Sequence, residues 1–293
     1  MRKYKTLAIT TRYWRPGTDY VEEIIKALDG KLSDGDFVVI SEKAISTASN
    51  NIIDEGEVKP SLMIKIFAWF WMRIVWGYFL GPLCMFRRRL IENIRKYPLE
   101  EGGRHKQVAL QHVGFLQSLM FGSEGGIDGS NLPYSYVSLP LKNADEIAHK
   151  IREQIRLRLK KKVFVMISDT DKTFSLGNFH FTHRKKTMEG IHSYTFTAYV
   201  VGRLFKLRRR ATPIAISEHV ISVDEALEIA DVANRARGFG AGSTVWGMAE
   251  KFKVGLTEVS WEMLETVKHK PIVVVKGKRW KNESGNKTIR CLL

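Results

Sequence analysis

Val163-Phe164-Val165-Met166-Ile167-Ser168-Asp169-Thr170-Asp171 decides how the rest of the chain is read. An unbroken apolar run rich in β-branched residues is the signature of a strand buried on both faces, inside a sheet covered by helices. This run ends abruptly in hydroxyls and carboxylates. Acidic residues just past the C-terminal end of a sheet strand stand where ligand sites commonly form, so one stretch predicts both a buried strand and a candidate site. A second run of the same kind, Phe37-Val38-Val39-Ile40, follows the turn Gly35-Asp36 and exits into Ser41-Glu42-Lys43. A third, Ile272-Val273-Val274-Val275, marks a late strand over Pro271 to Lys276.

Helical patterns lie between these strands. Asp19 to Leu28 carries Tyr20, Ile24, Ile25 and Leu28 on one side, and Ala144 to Leu159 repeats Ile147, Ile151, Ile155 and Leu159 at a spacing of four. The basic run Lys160-Lys161-Lys162 closes the latter, where the helix dipole favours cations. Ser222 and Glu225 form a capping box for a helix reaching Arg237, which Gly238 stops. Val108 to Phe121 is expected to be strand-rich. The fold expected is α+β, with mixed sheets and helices, in a single module over residues 1–293 whose part from 220 to 293 diverges.

Ser61 to Phe86 has a different character. Ile64, Ile66, Phe67, Trp69, Phe70, Trp71, Ile74, Val75, Trp76, Tyr78, Phe79, Leu80 and Leu83 are interrupted only by Lys65 and Arg73, and Arg87-Arg88-Arg89 closes the segment. The length would suit a membrane span. A mid-bilayer Arg73 would cost roughly 2.5–3.5 kcal/mol, and Gly81-Pro82 would break the helix. A span would also put the residues on either side of it across a membrane from one another. The segment is therefore expected as an aromatic helical insertion, residues 62–90, forming a helix pair that packs on a partner subunit or lies in a membrane interface, with a plain core helix as the bland alternative.

The formal charge of +16 on 293 residues concentrates anions: nucleotides, nucleic acid or an anionic lipid surface. Basic clusters also occur at Arg184-Lys185-Lys186 and Arg208-Arg209-Arg210, and each alone is most simply a solvated face. Two cysteines, Cys84 and Cys291, make no disulfide framework. With a polar start and no visible signal peptide, a cytoplasmic location is expected, with peripheral membrane contact through residues 62–86 as an addition.

Chemistry concentrates in two motifs, Ile127-Asp128-Gly129-Ser130-Asn131 and Ser168-Asp169-Thr170. Their carboxylates and hydroxyls are hard oxygen ligands suited to magnesium or manganese, and a pair of such ions would bridge nucleotide phosphates; otherwise the two aspartates simply cap a turn and a loop. Gly238-Phe239-Gly240-Ala241-Gly242-Ser243 is a loop able to cradle phosphates with backbone N–H groups, although it follows a helix rather than a strand. His180 and His183, flanking Phe181, read as structural residues on a strand face.

Taken in order, Gly35 to Ser46, Gly126-Ile127-Asp128-Gly129-Ser130-Asn131 and Ile167-Ser168-Asp169-Thr170 resemble the motifs of the coenzyme F-420:L-glutamate ligase (gamma-glutamyl ligase) family, over most of residues 1–175. The resemblance implies a dimeric α+β enzyme. It would use GTP and two divalent ions, magnesium or manganese, to join L-glutamate to a carboxylate of the deazaflavin precursor through an acyl phosphate. It implies Asp128 and Asp169 as the catalytic pair holding one metal, Thr170 helping to hold the second, and Asn131, Ser41 and Glu42 touching the nucleotide. Thr11, Arg12, Tyr13 and Trp14 occupy the position of a nucleotide-binding segment, and Gly238, Gly240 and Gly242 add the loop. The chain departs from the pattern in four places. Thr47 stands where the family often has a nucleotide-touching lysine. Asp171 to Gly177 carries no arginine where the family has two. Phe239 replaces the glutamate of a Gly-Glu pair. The aromatic stretch replaces a polar one.

The reading that results is an amide-bond-forming ligase acting on L-glutamate, or a similar amine, and an anionic carboxylate acceptor, with a homodimer expected. A non-catalytic paralogue binding a nucleotide or a membrane is the first alternative. A nucleic-acid binder, resting on charge alone, is the weaker second.

Overall fold

The computed structural model describes residues 4–276; Met1 to Lys3 and Cys291 lie outside them. Strands β1 (Thr6–Thr11), β2 (Phe37–Ser41), β5 (Phe164–Leu176), β6 (Phe179–Thr182), β7 (His192–Ser193), β8 (Arg208–Ile216) and β9 (His269–Val275) form one mixed sheet, and β3 (Ile52–Asp54) pairs with β4 (Tyr136–Ser138) in a small second one. The main sheet runs β1-β9-β2-β5-β6-β7, with β8 along the other edge of β5. Strands from both ends of the chain thus lie side by side, Leu7 opposite Val274.

The two apolar runs singled out above are neighbours. β2 pairs in parallel with β5, from Phe37 opposite Phe164 to Ser41 opposite Ser168. Both faces of this centre are covered, as an unbroken apolar strand requires. Val38, Ile40, Val165 and Ile167 face the helices Tyr20–Leu28 and Ala144–Leu159 through Ile24, Leu28, Ile151 and Ile155. Val39, Met166, Val273 and Val275 face the helix Val223–Arg237 through Ala226, Ile229, Ala230 and Ala233. That helix starts as its capping box demands, with the Ser222 side chain accepting from the Glu225 amide. It stops at Gly238, whose φ of 76° suits glycine. The α+β expectation holds.

Two expectations need correction. Residues 108–121 are not strands; they belong to the helices Leu99–His112 and Phe115–Ser118. Val108, Ala109 and Val113 share a helical face packed on Ile127 and Val137. Gly102, which lowers helix propensity, is there for space: a Cβ on it would lie 2.0 Å from the Tyr97 ring. Second, β5 does not end at Ile167. It continues to Leu176 and bulges against β8, where Asp169 faces Thr212 but Lys172 already faces Ala211. Thr170 and Asp171 are the extra residues. Bulges re-aim side chains and recur beside sites, so the acidic cluster lies within a kinked strand instead of beyond a finished one.

The aromatic segment is helical from Leu62 to Leu83, wound as a π-helix over Trp69–Leu80. Gly81-Pro82 changes the winding without stopping the helix, and the second member of the pair is Arg88–Arg95. Ala68, Met72, Trp76, Cys84 and Ile94 form a satellite core with Tyr97 and Met120. Arg73 does not stand in an apolar medium; its guanidinium donates to the Tyr97 carbonyl at 2.7 and 2.9 Å. The indoles of Trp71 and Trp76 both donate to the Leu119 carbonyl. The helix is therefore docked on the flank of the fold.

Candidate active site

A cleft of about 470 Å³ opens where the bulge of β5, the end of β2, the Gly126–Asn131 turn and the loop after Arg237 meet. Asp128, Asn131, Asp169, Thr170, Ser41, Thr47, Tyr13, Trp14, Gly238, Gly240 and Gly242 all line it, so most of the side chains expected from sequence do converge. Thr11 and Arg12 do not line it: the Thr11 hydroxyl turns to a backbone carbonyl, and Arg12 pairs at the surface with Glu23. Glu42 lies beneath the cleft, not in it.

The floor is held by ion pairs that sequence reading missed. Arg184, 1% exposed, sends one guanidinium nitrogen to Asp169 and to Asp171 (3.4 Å) and the other to Glu42 (2.8 Å). Glu42 also accepts from the Leu141 amide at 3.0 Å. Gly126 explains itself here: with φ at 104° it lies flat under Arg184, and a Cβ would come within 2.5 Å of the guanidinium. Burial pushes the Glu42 carboxyl up from its ordinary range, and Arg184 holds it back. Burial acts the same way on Asp169, but Arg184 and Lys43 outweigh it and leave that carboxyl low. Asp171 is pushed up by burial and by the charge of Asp169; it accepts from Ser123 at 2.8 Å, with His183 3.4 Å away.

Asp128 has its own cation. Lys43 donates to its Oδ2 and, at 2.7 Å each, to the Ser130 carbonyl and hydroxyl, while Asp128 Oδ1 takes the Ser130 amide at 2.7 Å. Asn131 is spent on the loop opposite. Its amide nitrogen donates to the Gly242 carbonyl at 2.9 Å and its oxygen accepts from the Ala241 amide at 2.6 Å, so it clips the glycine loop to the cleft.

Magnesium or manganese would need oxygen donors not already engaged by other cations. Asp128 and Asp169 face one small void together with Glu42, yet Lys43 and Arg184 already supply the positive charge there. Thr170 is exposed, and among the described residues no three His, Cys, Asp or Glu side chains group as metal ligands. As they stand, these side chains fit two organic cations and not a pair of divalent ions. An ion arriving with a nucleotide would have to displace Lys43 or Arg184.

A second buried set lies on the cleft's other wall. His105 bridges Glu55 and Glu124, 2.7 Å from each, and Lys106, fully buried, donates to Glu124 and to the carbonyls of Ser118 and Met120. Burial opposes the charge on His105, but the two carboxylates outweigh it and hold its pKa well above the ordinary value. Burial opposes the charge on Glu124 too, but Lys106 and His105 hold it down to about 2.

Lys43 stands in the strand exit Ser41-Glu42-Lys43, where polar residues at the end of a buried strand mark a candidate site edge in the sequence. Arg184 stands in a basic run that reads as surface, and His105 and Lys106 carry no local sequence signal.

Two comparisons bear on this geometry. A family model described as F420-0:gamma-glutamyl ligase matches residues 8–227, which contain both acidic motifs, Lys43 and Arg184. An uncharacterized protein of Methanocaldococcus jannaschii is 34% identical over 299 residues, covering 97% of this chain and 99% of its own length.

Proposed function

The chain belongs to the F420-0:gamma-glutamyl ligase family, and from that premise we propose that it joins L-glutamate, or a similar amine, to a carboxylate of the deazaflavin coenzyme F-420 precursor or a related anionic acceptor, with GTP as phosphoryl donor. The observation that carries this reading is the convergence of both acidic motifs, Lys43 and the glycine loop on one cleft. In the first step an acceptor carboxylate oxygen attacks the γ-phosphorus, and the bond to the GDP oxygen breaks. In the second the amine nitrogen attacks the acyl carbon, phosphate leaves with the C–O electrons, and the amine gives up a proton. Such transfers are catalysed by positioning and by fixed charge. The charge of Lys43 and the backbone amides of Phe239, Gly240 and Ser243 would receive the phosphates, and Asp128 and Asp169, each locked by a cation, would fix their geometry. Magnesium or manganese enters no step, given the occupied carboxylates.

The test follows GDP and phosphate release with GTP, L-glutamate and the deazaflavin precursor, with and without each divalent ion. Turnover needing both co-substrates, and falling roughly 10²–10³-fold in Asp128→Asn and Asp169→Asn, is the expected result. Full turnover in both variants would overturn the site assignment.

One observation favours a second reading, a paralogue that binds nucleotide without turnover. Phe239, 67% exposed, stands in the glycine loop where the family pattern has a carboxylate. Calorimetric GTP binding with no GDP formed under any condition would select it.

A further inference from the structure

Trp14 Nε1, Asn234 Oδ1 and all three guanidinium nitrogens of Arg237 are shut off from water without a hydrogen-bond partner. All three residues line the same cleft. Such groups are rare in folded proteins, and each calls for an explanation. A bare buried guanidinium is the costliest kind, because its lost hydration is returned by nothing. In a chain with 47 basic residues against 31 acidic ones, nothing in composition supplies a spare anion for it.

The surroundings say what is missing. Asn234 and Arg237 are three apart on the helix Val223–Arg237 and so share a face. The carboxylate acting on Arg237 is that of Asp169, whose Oδ2 is already engaged by Arg184. Burial lowers Arg237 only to about 10, so it stays charged at neutral pH. Its neighbour His269, stacked on Tyr13 at 4.4 Å, is pulled by burial down to about 4 and brings no competing positive charge.

We propose that Arg237 is an oxyanion-binding site in the wall of the cleft that the unpaired Trp14 indole N–H also lines, taking a carboxylate or a phosphate from one of the reactants. The planar guanidinium offers two parallel N–H donors, which match either group. Asn234 Oδ1 is left to accept from a donor on the same ligand, such as the ammonium of an amino acid. The identity of the anion rests on the ligase reading; its presence does not.

The experiment compares wild type with Arg237→Met and Arg237→Lys. Thermal unfolding is measured at constant ionic strength in chloride and in inorganic phosphate, and calorimetry follows GTP and L-glutamate. Phosphate should raise the wild-type Tm more than that of R237M, whose remaining gain comes from Lys43 and the glycine loop, and ligand-free R237M should be at least as stable as wild type. Affinity for one reactant should fall roughly 10- to 100-fold in R237M and recover partly in R237K. A fall confined to GTP identifies a phosphate, and one confined to L-glutamate a carboxylate. If neither reactant binds wild type, the ligase reading fails, and the phosphate-dependent Tm still decides the site. Equal Tm gains in wild type and R237M, with ligand affinities unchanged, would overturn the proposal.

Discussion

The cleft and the aromatic helix break opposite rules. The cleft takes charges out of water: Arg184 and Lys106 are almost wholly buried, with Glu42, Glu124, Asp169 and Asp171 around them. The helix Leu62–Leu83 leaves apolar side chains in water, with Met63 80% and Phe79 65% exposed. A buried charge is tolerable only when paired, and a bare apolar face of this length is rare unless something covers it. For these six charges the chain itself supplies the partners, which leaves Arg237 as the exception in the cleft. On the helix it supplies them to one side only, so an apolar face stays open.

That contrast is broken most severely at Arg184. Arg184→Met leaves Glu42, Asp169 and Asp171 facing one another without their cation, and should cost about 3–5 kcal/mol of stability, read from denaturant unfolding. A loss below about 1 kcal/mol would mean that the three carboxylates share protons or solvent and that Arg184 does not hold the floor.

A smaller effect should show in the pH dependence of the second buried set. Glu124 is held down to about 2, so its stabilisation is complete above the ordinary carboxylate range and is lost as pH falls toward 2. It should amount to something on the order of 3 kcal/mol. His105 is raised, so its share is complete below its ordinary value of 6.5 and is lost as pH climbs through the raised one. In unfolding free energy measured from pH 2 to 9, the contributions of Glu124 and His105 should therefore fall below about 4.5 and above about 6.5, while the raised carboxyl of Glu42 removes stability as pH climbs from the ordinary carboxylate range. Glu124→Gln should flatten the acid limb. An acid limb unchanged in that variant would remove Glu124 from the account.

What was legible in the sequence follows the same divide. Val163 to Ile167 and Phe37 to Ile40 read correctly because burial of a strand is a local pattern, and Ser222 with Glu225 because a cap is. Asp128 and Asp169 were readable as chemistry because carboxylates stood beside glycines and hydroxyls in short motifs. The bulge of β5 was not, since it depends on β8 some forty residues later. Nor were Arg184 and Arg237, which reach the cleft from distant elements and look locally like ordinary surface cations. Residues 108–121 do not form the strands expected of them, because Val108, Ala109 and Val113 share a helical face packed on Ile127 and Val137, a contact with distant elements that the local sequence does not reveal.

The smallest effect on stability should come from the open region, where the largest effect on association is expected. Leu62, Met63, Ile66, Trp69, Phe70, Tyr78, Phe79 and Leu83 are exposed along the helix, and Phe115 and Leu116 extend the face beside it. Exposed cations flank both ends, Lys59 before it and Arg87, Arg88 and Arg89 after it. Apolar side chains rimmed by basic ones fit the interface of an anionic membrane. A second copy paired about this face would bring its own arginine cluster, and a homodimer through it would have to offset that repulsion. The segment does not separate the site across a bilayer, because Lys43 before it and Asp128 after it are in contact. Phe70→Ser with Phe79→Ser should therefore change unfolding free energy by less than about 1 kcal/mol, yet abolish co-sedimentation with vesicles containing anionic lipid. Co-sedimentation that survives the double substitution would show that charge alone drives it. A wild-type dimer by sedimentation that the variant loses, with no vesicle binding by either, would assign the face to a second copy of this chain.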